Sequence, residues 1–380
     1  MLQRIIPAKP MVVKAVSNHG ISKLKRTWIM TIYLHIGLHK TATTFLQQNV
    51  FNDFNYKNIN YNPPEIMALL ESIFVYNLGD ENNIRKLKAI VDYEMNEPCT
   101  KDMFISCERM SQLFCTHNYK ASSIIVKRIF PKAKILLFLR YQPDWILSCY
   151  KQSLHSGDYQ EIEDFLNFSN GQFESVEGIY NDKGLMYTDV HRADYYILLE
   201  AYVEKYGREN LYIYFYEDFQ KNKKGTVDEI CNILKVNNKT KDYNVVKNRS
   251  YSSLACKLSI YRYNILKVFG LHKFLPTAKK TRKKLYMQSS STITWEQAKQ
   301  RRDFWSLVVI FFIKSYGRII GTLTWRHFIQ DFFDKVIYID SDILQKNGMR
   351  QKLDKLYRLK NERLLKYIPK NKIPKIYLNS

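Results

Sequence analysis

Ile32-Tyr33-Leu34-His35-Ile36-Gly37-Leu38-His39-Lys40-Thr41-Ala42-Thr43-Thr44-Phe45-Leu46 is the stretch on which the fold turns. Its first seven residues form an apolar run rich in β-formers; a Thr-rich turn follows, and Phe45 to Phe51 continues with helical spacing. The reading is strand, tight loop, helix. Such a turn aims several backbone N–H groups and the positive end of the helix dipole at one point. Lys40 adds a cation there, and Thr41, Thr43 and Thr44 add three hydroxyls, so the concavity suits a phosphate. It is not the nucleotide-triphosphatase loop G-x-x-x-x-G-K-[ST]: no Gly precedes Lys40, which follows Gly37 by three residues rather than six. Taken alone, the string is also compatible with a capped helix carrying an exposed lysine.

Working outward, three more apolar runs stand out: Met103 to Cys107, Ala133 to Leu139, and Leu211 to Tyr216. The run Ala133 to Leu139 follows a proline, ends in Arg140 and leads into a helical stretch with Asp144 in its first turn. Runs that are apolar throughout and separated by helical stretches suit a parallel sheet covered on both faces. The expected class is α/β: a central parallel sheet flanked by helices, a P-loop-like loop, and a ligand site at the C-terminal strand ends. The polar, aperiodic segment Glu161 to Asp189 reads as loops over the site, and Met349 to Ile368, with Leu353, Leu356, Leu359, Leu364 and Leu365, as an amphipathic helix.

The 380 residues carry a formal charge of +23, unevenly spread. Residues 1–29 hold 6 basic and 0 acidic residues, residues 30–255 hold 26 and 28, and residues 256–380 hold 27 and 8. This divides the chain into a short leader (a disordered arm or an over-extended start, since Met30 precedes the first strand), an α/β domain over 30–255, and a basic, helix-rich region over 256–380 packed on it. With 46% hydrophobic residues and 28 Tyr and 21 Phe, wholesale disorder is excluded. The six cysteines show neither C-x-x-C nor metal-type spacing with His, which signals reduced thiols and no metal. The leader lacks a secretory apolar stretch, and Phe304 to Ile313 is too short to span a bilayer, so a cytoplasmic protein is expected, peripheral at most to the inner membrane face.

The string Gly37 to Leu46 resembles the first signature of the sulfotransferases that use 3′-phosphoadenosine-5′-phosphosulfate (PAPS), G-x-x-K-[ST]-G-T-[TS]-x-L, with Ala42 where Gly is usual. The second signature, an Arg at a strand end and a Ser eight residues later, is matched by Arg140 and Ser148; a planar guanidinium fork suits phosphate oxygens. Tyr216-Glu217-Asp218-Phe219 looks like a further, mainly structural element. Lys247 to Ser252 lies where members place a basic nucleotide-closing loop, which makes Arg249 either a 3′-phosphate contact or a solvated side chain. The resemblance spans Thr31 to Ser253. It implies PAPS as donor, 3′,5′-adenosine bisphosphate (PAP) as product and no metal. Lys40 would meet the 5′-phosphate and the bridging oxygen, Thr43 and Thr44 phosphate oxygens, and Arg140 and Ser148 the 3′-phosphate. Gly37, Thr41, Ala42 and Phe45 complete the donor loop.

Sulfuryl transfer to a hydroxyl needs a proton acceptor. Glu108, just beyond the strand Met103 to Cys107, lies near the place where glycan-modifying and bacterial members of the family carry a carboxylate; the alternative is a structural pairing with Arg109 or Arg128. His39, beside Lys40, is the next candidate and a transition-state contact; His35 and His191 follow. The expected activity is transfer from PAPS to a hydroxyl of a carbohydrate or glycolipid. A P-loop-like kinase would need the missing Walker Gly-Lys pair and a metal-binding Asp. A basic nucleic-acid or membrane binder is the reading outside enzymes, motivated by the +19 of residues 256–380.

Overall fold

The computed structural model describes residues 11–12, 27–28, 30–52, 54, 59–76, 78–96, 101–111, 118–175, 187–240, 242–243, 250–271 and 328–378. Within 1–29 that leaves a short antiparallel pair, Met11–Val12 with Thr27–Trp28. Arg249 and the basic segment 272–327, with the apolar stretch 304–313 inside it, lie outside the described residues.

Five parallel strands form the central sheet: β1 (Ile32–His35), β2 (Ile59–Tyr61), β3 (Asp102–Ser106), β4 (Lys134–Leu139) and β5 (Leu211–Phe215), in the order β2-β3-β1-β4-β5. Four of them are the apolar runs read from the sequence. Edge strand β2 was not foreseen: Ile59-Asn60-Tyr61 is too short and too polar to register as a run, and among the described residues it pairs only with β3. Alternation along the strands gives the sheet two apolar faces. Ile32, Leu34, Met103, Ile105, Ile135 and Leu137 enter one cluster, while Tyr33, Phe104, Leu136 and Phe138 enter the other.

Helices cover both faces. The first cluster receives α1 (Pro64–Glu71), α2 (Glu81–Asn96), α3 (Tyr119–Ile129), α4 (Gln142–His155) and α5 (Tyr195–Tyr206). The second is closed by the helical turn Thr43–Phe45 with its continuation Leu46–Val50 and by α6 (Lys223–Ile233). Helix α7 (Ser253–Val268) is capped by the Ser252 hydroxyl, which is itself tied to buried Asp334.

The C-terminal helix α8 (Met349–Asn361) has amphipathic spacing as expected, but on a shifted face. Met349, Leu353, Tyr357 and Asn361, each one turn apart, are buried, whereas Leu359 and Leu365 are exposed. Tyr357 wins that face because its hydroxyl donates to the Val190 carbonyl at 2.7 Å. The segment expected as loops contains a short helix, Ile162–Leu166, and a hairpin, Phe168–Ser169 with Gln172–Phe173. Both pack toward the α8 region, through Lys346 to Glu163 and Lys352 to the Gly171 carbonyl.

Candidate active site

Strand β1 is central, and successive strands lie on opposite sides of it, β3 on one and β4 on the other. That reversal opens a crevice beyond its C-terminal end. The loop Leu38–Ala42 sits in the crevice, with Glu108 arriving from the end of β3 and Arg140 from the end of β4. The loop's backbone is the distinctive part. Lys40 (φ 66°) and Ala42 (φ 62°, ψ 19°) are left-handed, with Thr41 between them. Three successive carbonyls are tied off inside the protein: Leu38 accepts from the Thr41 hydroxyl (2.6 Å), His39 from the Trp145 indole (2.9 Å) and Lys40 from Arg140 (3.0 Å). Because each peptide's N–H opposes its C=O, the N–H groups of residues 39 to 41 face the other way, and left-handed residues at 40 and 42 give the kind of backbone curvature that suits an anion.

Gly37 serves a neighbour. A Cβ there would lie 2.8 Å from His35 Nε2. His35 is fully buried, bonds Ser106 Oγ through Nδ1 (2.7 Å), and is pushed down to about 4 by burial, with the Glu108 charge only partly opposing. Gln47 also donates to Ser106 (3.0 Å), so a polar network underlies the loop.

Glu108 pairs with neither Arg109 nor Arg128; Arg128 is held by Glu81 at 2.8 Å. Its partner is His39, Nδ1 to Oε2 at 2.5 Å, and the Thr43 hydroxyl donates to the same carboxylate. Burial works to raise the Glu108 carboxyl, but the His39 and Thr43 hydrogen bonds and the His39 charge outweigh it and hold it below the ordinary carboxylate range. Lys40 Nζ donates to Gln152 Oε1 at 2.9 Å, and its pKa is lowered, first by burial and further by Arg140, against opposing charges.

Arg140 lies over the Tyr216 ring at 4.6 Å. Its Nε is buried and has no partner among the described residues. Ser148 lies on α4 between Trp145 and Gln152, the two residues that grip the loop, and this i, i+3, i+7 stripe places it on the loop-facing side. Thr44 is half-buried at the helix start. The Phe45 side chain belongs to the aromatic cluster, beside Phe219 and Tyr243, which leaves its backbone on the loop side. Exposed His191 contacts the Phe173 carbonyl of the hairpin through Nε2, at 2.9 Å. Among the described residues no group of His, Cys, Asp and Glu is arranged to hold a metal, and no helix is long and apolar enough to cross a membrane.

A family model described as the sulfotransferase domain matches residues 32–297. The chain belongs to the sulfotransferase family. No curated protein matches it. Among solved structures similar to this sulfotransferase, one from Alicyclobacillus acidocaldarius is 16% identical, with 64% of this chain and 96% of that chain covered and a TM-score of 0.39. A mouse sulfotransferase complexed with PAP is also 16% identical, covering 62% of this chain and 64% of its own, with a TM-score of 0.32. In this sulfotransferase, sequence reasoning missed Trp145 and Gln152. Extending the helical stripe through Ser148 by one turn in each direction would have reached both.

Proposed function

We propose that this sulfotransferase moves a sulfuryl group from PAPS to a hydroxyl of a carbohydrate or glycolipid, in the cytoplasm. The observation that carries the donor reading is the loop's inverted backbone, whose carbonyls are tied to Thr41, Trp145 and Arg140 while its N–H groups face the other way. Two phosphate-bearing ends call for two cationic subsites, and the orphaned Arg140 Nε is a donor in want of an acceptor. Lys40 with the N–H groups of residues 39 to 41 would hold the 5′-phosphosulfate, and Arg140 with Ser148 the 3′-phosphate. The carbohydrate reading rests on the carboxylate after β3, a position shared with glycan-modifying members.

The donor supplies an activated sulfuryl group on a phosphate leaving group. The chain supplies a proton acceptor and charge neutralisation. Glu108 and His39 act as one unit, the carboxylate fixing the imidazole through Nδ1, and the pair takes the hydroxyl proton as the acceptor oxygen bonds to sulfur. The sulfur–oxygen bond to the phosphate breaks, and the electron pair leaves on that oxygen, where Lys40 and the loop N–H groups stabilise it. Calorimetric titration with PAP and transfer assays with PAPS test this. Lys40→Ala and Arg140→Ala should each abolish transfer and weaken PAP binding at least tenfold. Glu108→Gln should keep PAP binding and lose transfer by about 100-fold or more. Retained binding and transfer in both cation variants would sink the reading.

A further inference from the structure

Residues 140–142 join β4 to α4, and this junction is gripped from three remote parts of the chain. The Arg140 carbonyl accepts from the Tyr195 hydroxyl at 2.5 Å. The Tyr141 N–H donates to Glu217 Oε1 at 2.8 Å, and the Tyr141 hydroxyl to Asp354 at 2.9 Å. Gln142 and Asn361 exchange two buried side-chain hydrogen bonds, at 2.6 and 3.0 Å. The second oxygen of Glu217 accepts from the Tyr377 hydroxyl at 3.0 Å. Tyr377 is fully buried, its ring edge-on to Tyr141 (5.4 Å) and Phe215 (4.9 Å). Asp354, Asn361 and Tyr377 all lie beyond residue 297, where the family match ends.

We propose that the C-terminal segment from Asp354 to Tyr377 is a positioning element of the donor site, acting through Arg140. It fixes the backbone from which the guanidinium reaches the Lys40 carbonyl, and so sets both the orientation of Arg140 and the inversion of the loop. Glu217 is the coupling residue: one carboxylate oxygen holds the start of α4, the other holds the C-terminal tyrosine. Removing the Tyr377 hydroxyl takes one donor from the half-buried Glu217 carboxylate, whose other oxygen holds the residue next to Arg140, while the ring that fills the space remains. The inference rests on the donor reading above.

Tyr377→Phe and Asn361→Ala, measured beside wild type and Arg140→Ala, test it. The readouts are the PAP dissociation constant, KM for PAPS and for acceptor, and Tm. Tyr377→Phe should raise the PAP dissociation constant and the donor KM together by about 5- to 10-fold, with acceptor KM unchanged and Tm within about 2 °C of wild type. Asn361→Ala should shift the same two constants in the same direction. A lowered Tm with unchanged PAP affinity in both variants, while Arg140→Ala abolishes binding, would overturn the positioning role and leave the donor reading standing. Wild type that fails to bind PAP, or Arg140→Ala that binds it as wild type does, would instead bring down the donor reading and the inference with it.

Discussion

Two residues in the loop region carry unfavourable conformations or environments, and each yields a measurable effect. Ala42 holds a left-handed backbone (φ 62°), which costs a residue with a Cβ roughly 1 kcal/mol. That explains why glycine is usual at this position of the signature. Ala42→Gly should stabilise the protein by about 0.5–1 kcal/mol in urea denaturation, after allowing for the extra freedom of glycine in the unfolded chain. His35, fully buried beneath the loop with its pKa near 4, behaves differently. The unfolded imidazole takes a proton near 6.5 and the folded one does not until about 4, so the unfolded state binds more protons between these values. Stability is therefore fully present above about 6.5 and declines as pH falls toward 4, by on the order of 3 kcal/mol from this group. His35→Gln should flatten that part of the pH–stability curve. An unaltered slope would mean that other groups dominate it.

At the scale of elements, α4 is the part on which the site depends. Its indole at Trp145 and its amide at Gln152 grip consecutive loop residues, so Trp145→Phe, which keeps an apolar ring but loses the bond to the His39 carbonyl, should weaken PAP binding about 3- to 10-fold with little change in folding. Unchanged affinity would show that Arg140 and Thr41 alone maintain the inversion. Helix α4 also shows what the sequence can and cannot tell. Long apolar runs announced β1, β3, β4 and β5, because a strand buried on both faces has no room for polar side chains. The strand–loop–helix turn at Gly37 to Leu46 was legible because its residue types and spacing are local. Edge strand β2 was silent because only one neighbour and one face constrain it. Which face of α8 is buried, and that Glu108 would meet His39 rather than an arginine, depend on contacts between distant segments, and no local pattern encodes those.

Across the whole molecule, charge that is segregated in sequence is reunited in space. The basic C-terminal segment meets acidic residues of the near-neutral middle: Lys346 with Glu163, Arg350 with Asp144, Lys360 and Arg363 with Asp194, and Lys366 with Glu200. A share of the excess read as a lure for an anionic partner thus fastens this segment to the domain. Arg350, which also meets Asp342 and Asp354, is the least exposed of these cations. Arg350→Met should lower stability by about 1–2 kcal/mol at low ionic strength, with a smaller deficit near 1 M salt, since it leaves three carboxylates together without their cation. A deficit independent of salt would assign the effect to lost packing.

The grip on residues 140–142 has a kinetic consequence as well. Tyr141 and Gln142 bond partners 213 and 219 positions away along the chain. Contacts of such separation are rewarded only after a very large loop has closed, so they form late in folding. Helix and sheet signals should therefore recover first in refolding experiments, and competence to bind PAP should appear in a slower phase, when the two ends of this clamp finally meet.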